Sequence, residues 1–289
     1  MTNIDQHFEA YSAWRKGLFT AVGDFRAWLQ TQELADIQVD QRLDQVLSTL
    51  RDDRLYVAFV AEFSRGKSEL INAIFFAAFG QRVLPSSAGR TTMCPTELMY
   101  DKGSAPCIRL LPIETRSSGT SLSELRGFAE EWTTIPLNID SPDDVAKALQ
   151  HIAEIKGVTK EAAQSMGLHI AEEETQNGMH LTEDGMVEVP KWRHAIINFP
   201  HPLLEQGLVI LDTPGLNALG TEPELTLSLL PSAHAVLFIL AADAGVTKSD
   251  IQVWHDFICN PKHGASKGRL AVLNKIDGLW DELKNAGEV

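Results

Sequence analysis

The sequence predicts an α/β domain: a mostly parallel sheet with helices on both faces, preceded by a helical hairpin and carrying a helical insertion. Three observations predict it. Apolar runs at 55–60, 209–211 and 270–273 read as buried strands, each ending in a polar signature. Helix-like segments alternate with these runs, which is the pattern of a sheet covered on both faces. The first run passes through Ala61-Glu62-Phe63-Ser64-Arg65-Gly66-Lys67-Ser68 into the helix-like stretch 70–75. Strand, tight loop ending Gly-Lys-Ser, then helix is the context of a phosphate-binding P-loop.

The chain opens with a helical pattern. Ile4, Phe8, Tyr11, Leu18, Phe19, Val22, Phe25 and Leu29 alternate three and four apart, with a break at Arg15 and a face widened by Trp14 and Trp28. A second pattern follows in Leu34, Ile37, Leu43, Val46, Leu47 and Leu50. These predict an N-terminal helical segment over 1–53, ahead of a domain over 54–289. The hairpin either packs on that domain as core or belongs to a bundle whose other helices lie outside this chain.

Loop 61–68 comes next. Its amides and the following helix N-terminus are suited to wrapping an anionic phosphate. Lys67 reaches the outer phosphates, Ser68 ligates Mg²⁺, and Gly66 permits close backbone approach. The loop opens with Ala61 where the usual pattern has Gly, which would be strained at a positive φ. Downstream, 84–92 is rich in Pro, Ser and Gly and reads as a mobile switch. Thr92 is the favoured second Mg²⁺ ligand there, ahead of Thr91 and Thr96.

Segments 96–100 and 107–111 read as a hairpin around Asp101-Lys102-Gly103-Ser104. A polar segment, about 112–190, reads as an insertion with helices at 121–132, 141–155 and 159–166. Ser121 and Glu124 form a capping-box pattern at its start. Its Glu172-Glu173-Glu174 run reads as a solvated face. Strands are then expected at 194–199, 207–211, 235–240 and 269–273, with helices at 222–230 and 249–258.

Two of those strands end in further chemistry. The 209–211 run leads into Asp212-Thr213-Pro214-Gly215, where Asp212 would hold Mg²⁺ through water and the Gly215 N–H would sense a γ-phosphate. The last strand ends in Asn274-Lys275-Ile276-Asp277. Asp277 is suited to accept from two guanine N–H donors, a pair adenine lacks, and an unpaired desolvated carboxylate would reject the wrong base. Asn274 binds the other base edge or ties the base loop to the P-loop, and the Lys275 stem packs on the ring. Three such motifs in order, each at the carboxyl end of a strand, point to a guanine nucleotide site.

Composition narrows the alternatives. The 289 residues carry a formal net charge of −14, which argues against nucleic-acid backbone binding as the main role. Cys94, Cys107 and Cys259 lie far apart and indicate neither a disulfide framework nor a zinc site. No secretory signal opens the chain, and the longest apolar runs, 73–79 and 235–242, are too short to span a bilayer. A cytoplasmic location is expected, with peripheral membrane contact left open.

With residues 61–74, 90–97, 212–216 and 274–277 in view, the chain resembles the dynamin-family large GTPases, specifically bacterial dynamin-like proteins. The 120 positions from Thr92 to Asp212 suit that branch better than small Ras-like GTPases, and so do helices before the P-loop. The resemblance implies Mg²⁺-dependent hydrolysis of GTP to GDP and phosphate, stimulated by homodimerisation of the GTPase domain. In the full-length protein it implies coupling to membrane remodelling. Its nucleotide contacts map onto Glu62, Phe63, Ser64, Arg65, Gly66, Lys67, Ser68, Glu69, Asp212, Gly215, Asn274, Lys275 and Asp277. Metal ligands map onto Ser68, Thr92 and Asp212, and catalytic roles onto Ser64, Arg65, Lys67, Thr92 and Gly215.

Ser64 matches the position that faces the β–γ bridging oxygen. Arg65 either compensates charge, in cis or across a dimer, or faces solvent or an acidic neighbour. Leu216 replaces the water-orienting Gln of small GTPases, as in dynamin-like enzymes. No Ser-Ala-type fifth motif and no stalk follow before Val289, so a fragment of a longer protein is expected. The rival readings are a GTP-dependent interaction module with little or no hydrolysis, and a ribosome- or tRNA-associated GTPase, which the acidic charge disfavours.

Overall fold

A computed structural model describes residues 3–32, 34, 36–51, 54–62, 64–85, 94–168, 185–213, 230, 233–259 and 268–278. The chain divides into two compact units, Met1–Leu55 and Tyr56–Val289.

The first unit is the helical hairpin that the spacing predicts: α1 (Asn3–Thr31) and α2 (Ile37–Arg51). Helix α1 runs straight through Arg15. Arg26 of α1 bridges to α2, donating to Asp40 at 2.7 and 2.8 Å and to Asp44 at 2.7 Å. Arg51 lies over the Phe19 ring. Two ring pairs, Tyr11–Trp14 and Phe25–Trp28, stack on the exposed side of α1. Among the described residues, no helix is long and apolar enough to cross a membrane.

The second unit is built on a mixed eight-stranded sheet. Its strands are β1 (Leu55–Ala61), β2 (Thr96–Met99), β3 (Cys107–Pro112), β4 (Thr133–Pro136), β7 (Trp192–Asn198), β8 (Leu208–Asp212), β9 (Ala235–Ala241) and β10 (Gly268–Asn274). The order is β10-β9-β1-β8-β2-β7-β3-β4. The pairs β10–β9, β9–β1 and β2–β7 are parallel, whereas β2–β8, β7–β3 and β3–β4 are antiparallel. Two short strands, β5 (Ile155–Val158) and β6 (Val187–Pro190), form a separate antiparallel ribbon.

The helices of this unit are α3 (Lys67–Phe75), α4 (Leu122–Leu125), α5 (Pro142–Gln150), α6 (Lys160–Ser165), α7 (Pro202–Glu205) and α8 (Lys248–Val253). Apolar residues of β1, β8 and β9, among them Val60, Leu211 and Phe238, pack with Leu125, Trp132 and Val253 in the main core. A second cluster places Ala163 of α6 and Met166, just beyond its end, against Val187 and Val189 of β6.

The structure corrects several local expectations. Strands β2 and β3 are not a hairpin, because β7 lies between them and pairs with both. Strand β7 is buried along its whole length, so it needs partners on both edges. Asn198 at its end secures the β2–β3 connection: its Oδ1 accepts from the Asp101 amide, and its Nδ2 donates to the Asp101, Ser104 and Ala105 carbonyls. Helix 121–132 contracts to α4. Its capping box forms as the sequence suggests, but the Trp132 indole donates to the Leu125 carbonyl and closes the helix. Residues 133–136 then extend the main sheet as β4, a strand the sequence reading did not expect. The expected helix 141–155 ends at Gln150 and the one at 159–166 ends at Ser165. Glu172–Glu174 and most of 222–230 fall outside the described residues.

One charged cluster lies inside this fold. Glu97 of β2 is buried, accepts from Arg126, and sits 3.1 Å from His194 Nε2 on β7. Burial acts to raise its carboxyl pKa, but the hydrogen bonds and charges of His194 and Arg126 outweigh this and pull it down to about 2. A folded-state value below the ordinary 4.5 stabilises the protein above pH 4.5, and that contribution is lost as pH falls toward 2. Glu97→Gln should therefore lower the unfolding free energy at pH 7 by about 3 kcal/mol. It should also flatten the acid limb of the stability curve. Urea unfolding at pH 7 and pH 3 checks both; equal stability of the two proteins at pH 7 would contradict this account.

Candidate functional site

The P-loop joins β1 to α3. Ala61 is the last, buried residue of β1 and has no positive φ, so an alanine at the loop's opening brings no strain. Among the described residues of the loop, Ser64 (φ 62) and Gly66 (φ 83) are left-handed. Gly66 is required there twice over. A side chain at its φ is disfavoured by roughly 1–2 kcal/mol, and an added Cβ would land on Asn274 Nδ2.

Asn274 reaches that point by register. Strand β10 pairs with β9 so that Asn274 faces Ala241, and β9 pairs with β1 so that Ile239 faces Ala61. Ala61 is thus level with Val272, and β9 and β10 run about two residues past the end of β1, which carries Asn274 alongside the P-loop. Asn274 Nδ2 donates to the Arg65 carbonyl at 3.0 Å and to the Gly66 carbonyl at 3.4 Å. Of the two roles open to Asn274 from sequence, the structure places its side chain on the P-loop. The Asn274 carbonyl accepts from the Ala242 amide, which anchors the loop after β9. Lys275 adopts φ 59 and donates to Asp243 at 3.3 Å. Asp277 is exposed in the turn closed by the Gly278 amide and the Lys275 carbonyl.

Asp212 ends β8, the neighbour of β1 on its other side. Its Oδ1 lies 3.1 Å from Lys67 Nζ, and both side chains are buried. That oxygen has no aligned hydrogen bond. Burial pushes the Asp212 carboxyl above the usual carboxylate range, against the pull of Lys67. Ser68 is buried in the first turn of α3. A hydrated Mg²⁺ fits this donor set: a serine hydroxyl plus a buried carboxylate oxygen without an aligned donor. The next residue, Thr213, donates its hydroxyl to the Phe59 carbonyl and straps β8 to β1.

Arg65 does not face open solvent. Its Nη2 donates to Glu62 at 2.6 Å and to Asp250 of α8 at 3.1 Å. Asp250 is fully buried and closes a capping box with Thr247. Of the alternatives open from sequence, the geometry holds Arg65 against acidic neighbours. Its charge is already matched by two carboxylates. Glu62 likewise accepts from Ser249 and Thr247, and Glu69 pairs with Arg82 at 2.9 Å. Phe63, Thr91, Thr92 and Gly215 lie outside the described residues.

Several contributors were not singled out from sequence. Thr247 and Asp250 carry a readable capping-box spacing, but nothing local announces that Asp250 meets Arg65. Asn72 of α3 is another. Its Oδ1 accepts from the Val83 and Leu84 amides and its Nδ2 donates to the Leu84 carbonyl, so the P-loop helix holds the chain just before the expected switch.

A sequence model of the dynamin family matches residues 57–275. Among curated proteins, the chain is 23% identical over 229 residues to a bacterial dynamin-like protein of Nostoc punctiforme, covering 78% of this chain and 25% of that protein. It is 23% identical over 252 residues to dynamin-like protein 2 of Campylobacter jejuni, covering 87% of this chain and 30% of that one. Among solved structures it is similar to an oligomerised bacterial dynamin pair described as sensing and tethering membranes over long range. There the TM-score is 0.44 at 21% identity, over 88% of this chain and 30% of that chain. The chain therefore spans between a quarter and a third of the length of these relatives.

Gly66→Ala tests the junction of the two loops. The backbone strain and the displacement of Asn274 together should weaken binding of a fluorescent guanine nucleotide by roughly tenfold or more. An unchanged affinity would contradict the close approach described above.

Proposed function

The chain belongs to the dynamin family, and on that premise we propose that residues 56–289 bind a guanine nucleotide with Mg²⁺ and hydrolyse GTP to GDP and phosphate. The observation that carries this reading is the hydrogen bond from Asn274 into the Arg65 and Gly66 carbonyls, which brings a base-reading loop and a phosphate-reading loop into one site.

In this reading Lys67 leaves Asp212 when a triphosphate arrives and neutralises its outer phosphates. Ser68 and Asp212 would hold Mg²⁺, and the ion when bound would supply charge neutralisation for the phosphates. The amides at the start of α3 receive the phosphate oxygens. Ser64, exposed and left-handed at the loop's apex, is assigned to the β–γ bridging oxygen. Thr92 and the Gly215 amide are assigned to the attacking water and the γ-phosphate. Asp277 is free to turn its exposed carboxylate to the guanine edge, and the Lys275 stem covers the ring. Arg65 is left out of the chemistry.

For the whole protein we add self-association and work at a membrane surface, in line with the relative described as an oligomerised pair that tethers membranes; placing the association in the GTPase domain is our own reading. Both are carried here as part of the proposal.

The test is displacement of a fluorescent GTP analogue with Mg²⁺ present. GTP and GDP should compete and ATP should not. Lys67→Ala should weaken binding by at least about tenfold, since it removes the cation that meets the outer phosphates. Wild type should then release phosphate from GTP. Guanine-selective binding without phosphate release would instead favour an interaction module, and equal competition by ATP would overturn the guanine assignment.

A further inference from the structure

The P-loop of this chain is held by side chains as well as by its backbone. Glu62 and Arg65 flank the left-handed Ser64, and both turn toward the first turn of α8. Glu62 Oε1 accepts from the Ser249 hydroxyl at 2.5 Å, and Oε2 lies 3.2 Å from the Thr247 hydroxyl and 2.6 Å from Arg65 Nη2. The same Nη2 donates to Asp250 Oδ2, which also accepts from the Thr247 amide. Arg65 and Asp250 are almost wholly removed from solvent, at 5% and 0% exposure. Meanwhile the Arg65 carbonyl receives Asn274. One residue thus links the phosphate loop, the base loop and α8.

Two features of this cluster decide its role. A non-glycine residue in the left-handed region persists only where its surroundings over-determine it, and here both flanking side chains are pinned to one rigid helix turn. Two carboxylates meet one guanidinium, so Arg65 has no positive charge to spare for a phosphate. The cluster can shape the loop but is not arranged to contact the reacting group.

We propose that Arg65 is a positioning residue: with Glu62 it ties the P-loop to α8 through Asp250, and this tie sets nucleotide affinity by holding the loop in its phosphate-receiving shape before the nucleotide arrives. The proposal rests on the guanine-nucleotide reading above. It separates two kinetic consequences. Loss of the tie weakens GTP and GDP binding together, because both need the loop. It leaves the chemical step at saturating GTP unchanged, because Arg65 touches no reacting atom.

The experiment uses the full 289-residue chain as wild type, Arg65→Ala, Asp250→Asn and the double variant. Thermal unfolding first establishes that each is folded. Arg65→Ala leaves two carboxylates without their cation, so Asp250→Asn, which retains the side-chain shape, carries the test if Arg65→Ala does not fold. Each single variant should raise Kd for GTP and GDP, and KM for GTP, by about tenfold, with kcat within about twofold of wild type. The double variant should bind no more weakly than the weaker single, since both break one linkage. A fall in kcat at unchanged KM would overturn the proposal and return Arg65 to the chemistry; additive losses would overturn the Arg65–Asp250 linkage.

A second readout is independent of nucleotide. Hydrogen exchange of the 62–66 amides in the nucleotide-free protein should quicken by about tenfold in either single variant. Unchanged exchange would overturn the tie. If wild type failed to bind guanine nucleotide at all, the proposed function would fall, while the exchange result would still decide whether the tie shapes the loop.

Discussion

The side-chain amide of Asn274 donating into the Arg65 and Gly66 carbonyls is the contact on which the rest of the site depends. It spans 208 positions of sequence and joins two loops that leave different strands. For it to form, β9 must lie between β1 and β10 with all three parallel, so that β10 runs past the end of β1 and brings Asn274 beside the loop. A side chain at position 66 would bring its Cβ within 2.4 Å of Nδ2 and push the Asn274 amide aside. Gly66 is therefore a requirement of the tertiary contact as much as of the loop's own backbone. Sheet order, glycine position and loop chemistry all serve this one approach.

Around it the protein manages buried charge by pairing. Lys67 and Asp212 neutralise each other, and a ligand with its own negative charges can take Lys67 in exchange. That pair is poised rather than settled: burial raises the Asp212 carboxyl despite the cation, and one carboxylate oxygen has no aligned donor. The Arg65–Glu62–Asp250 cluster has another character. Its groups lie between two elements of the fold and are surrounded by capping hydroxyls. Exchangeable charge faces the expected ligand, and fixed charge faces α8. The Glu97–His194–Arg126 cluster is again fixed, joining β2 and β7 to the segment after α4.

Much of this was legible in the sequence, for identifiable reasons. Strands β1, β8 and β10 are short apolar runs with chemistry at their ends, and β9 is an apolar run of the same kind without it, so both their existence and the edge that carries the site could be read. What failed is what depends on distant partners. Nothing local to 96–111 indicates that β7, nearly a hundred residues later, separates β2 from β3. Nor does periodicity show that Trp132 turns back to cap α4 and frees 133–136 to pair with β3. The strain expected at Ala61 was misplaced by position: that residue still belongs to the strand, and Ser64 and Gly66 are left-handed. Arg65 drew attention as an unusual cation, but its partner sits 185 positions away, so sequence left its role open between phosphate and carboxylate.

The central claim is that Asn274 serves the P-loop and that Asp277 alone reads the base. The most direct test is calorimetric affinity for GTP, GDP and ATP in wild type and Asn274→Ala. The account predicts that Asn274→Ala weakens GTP and GDP alike, by roughly ten- to a hundredfold, while ATP stays excluded. Retained GTP affinity together with new ATP binding would place Asn274 on the base and contradict the account.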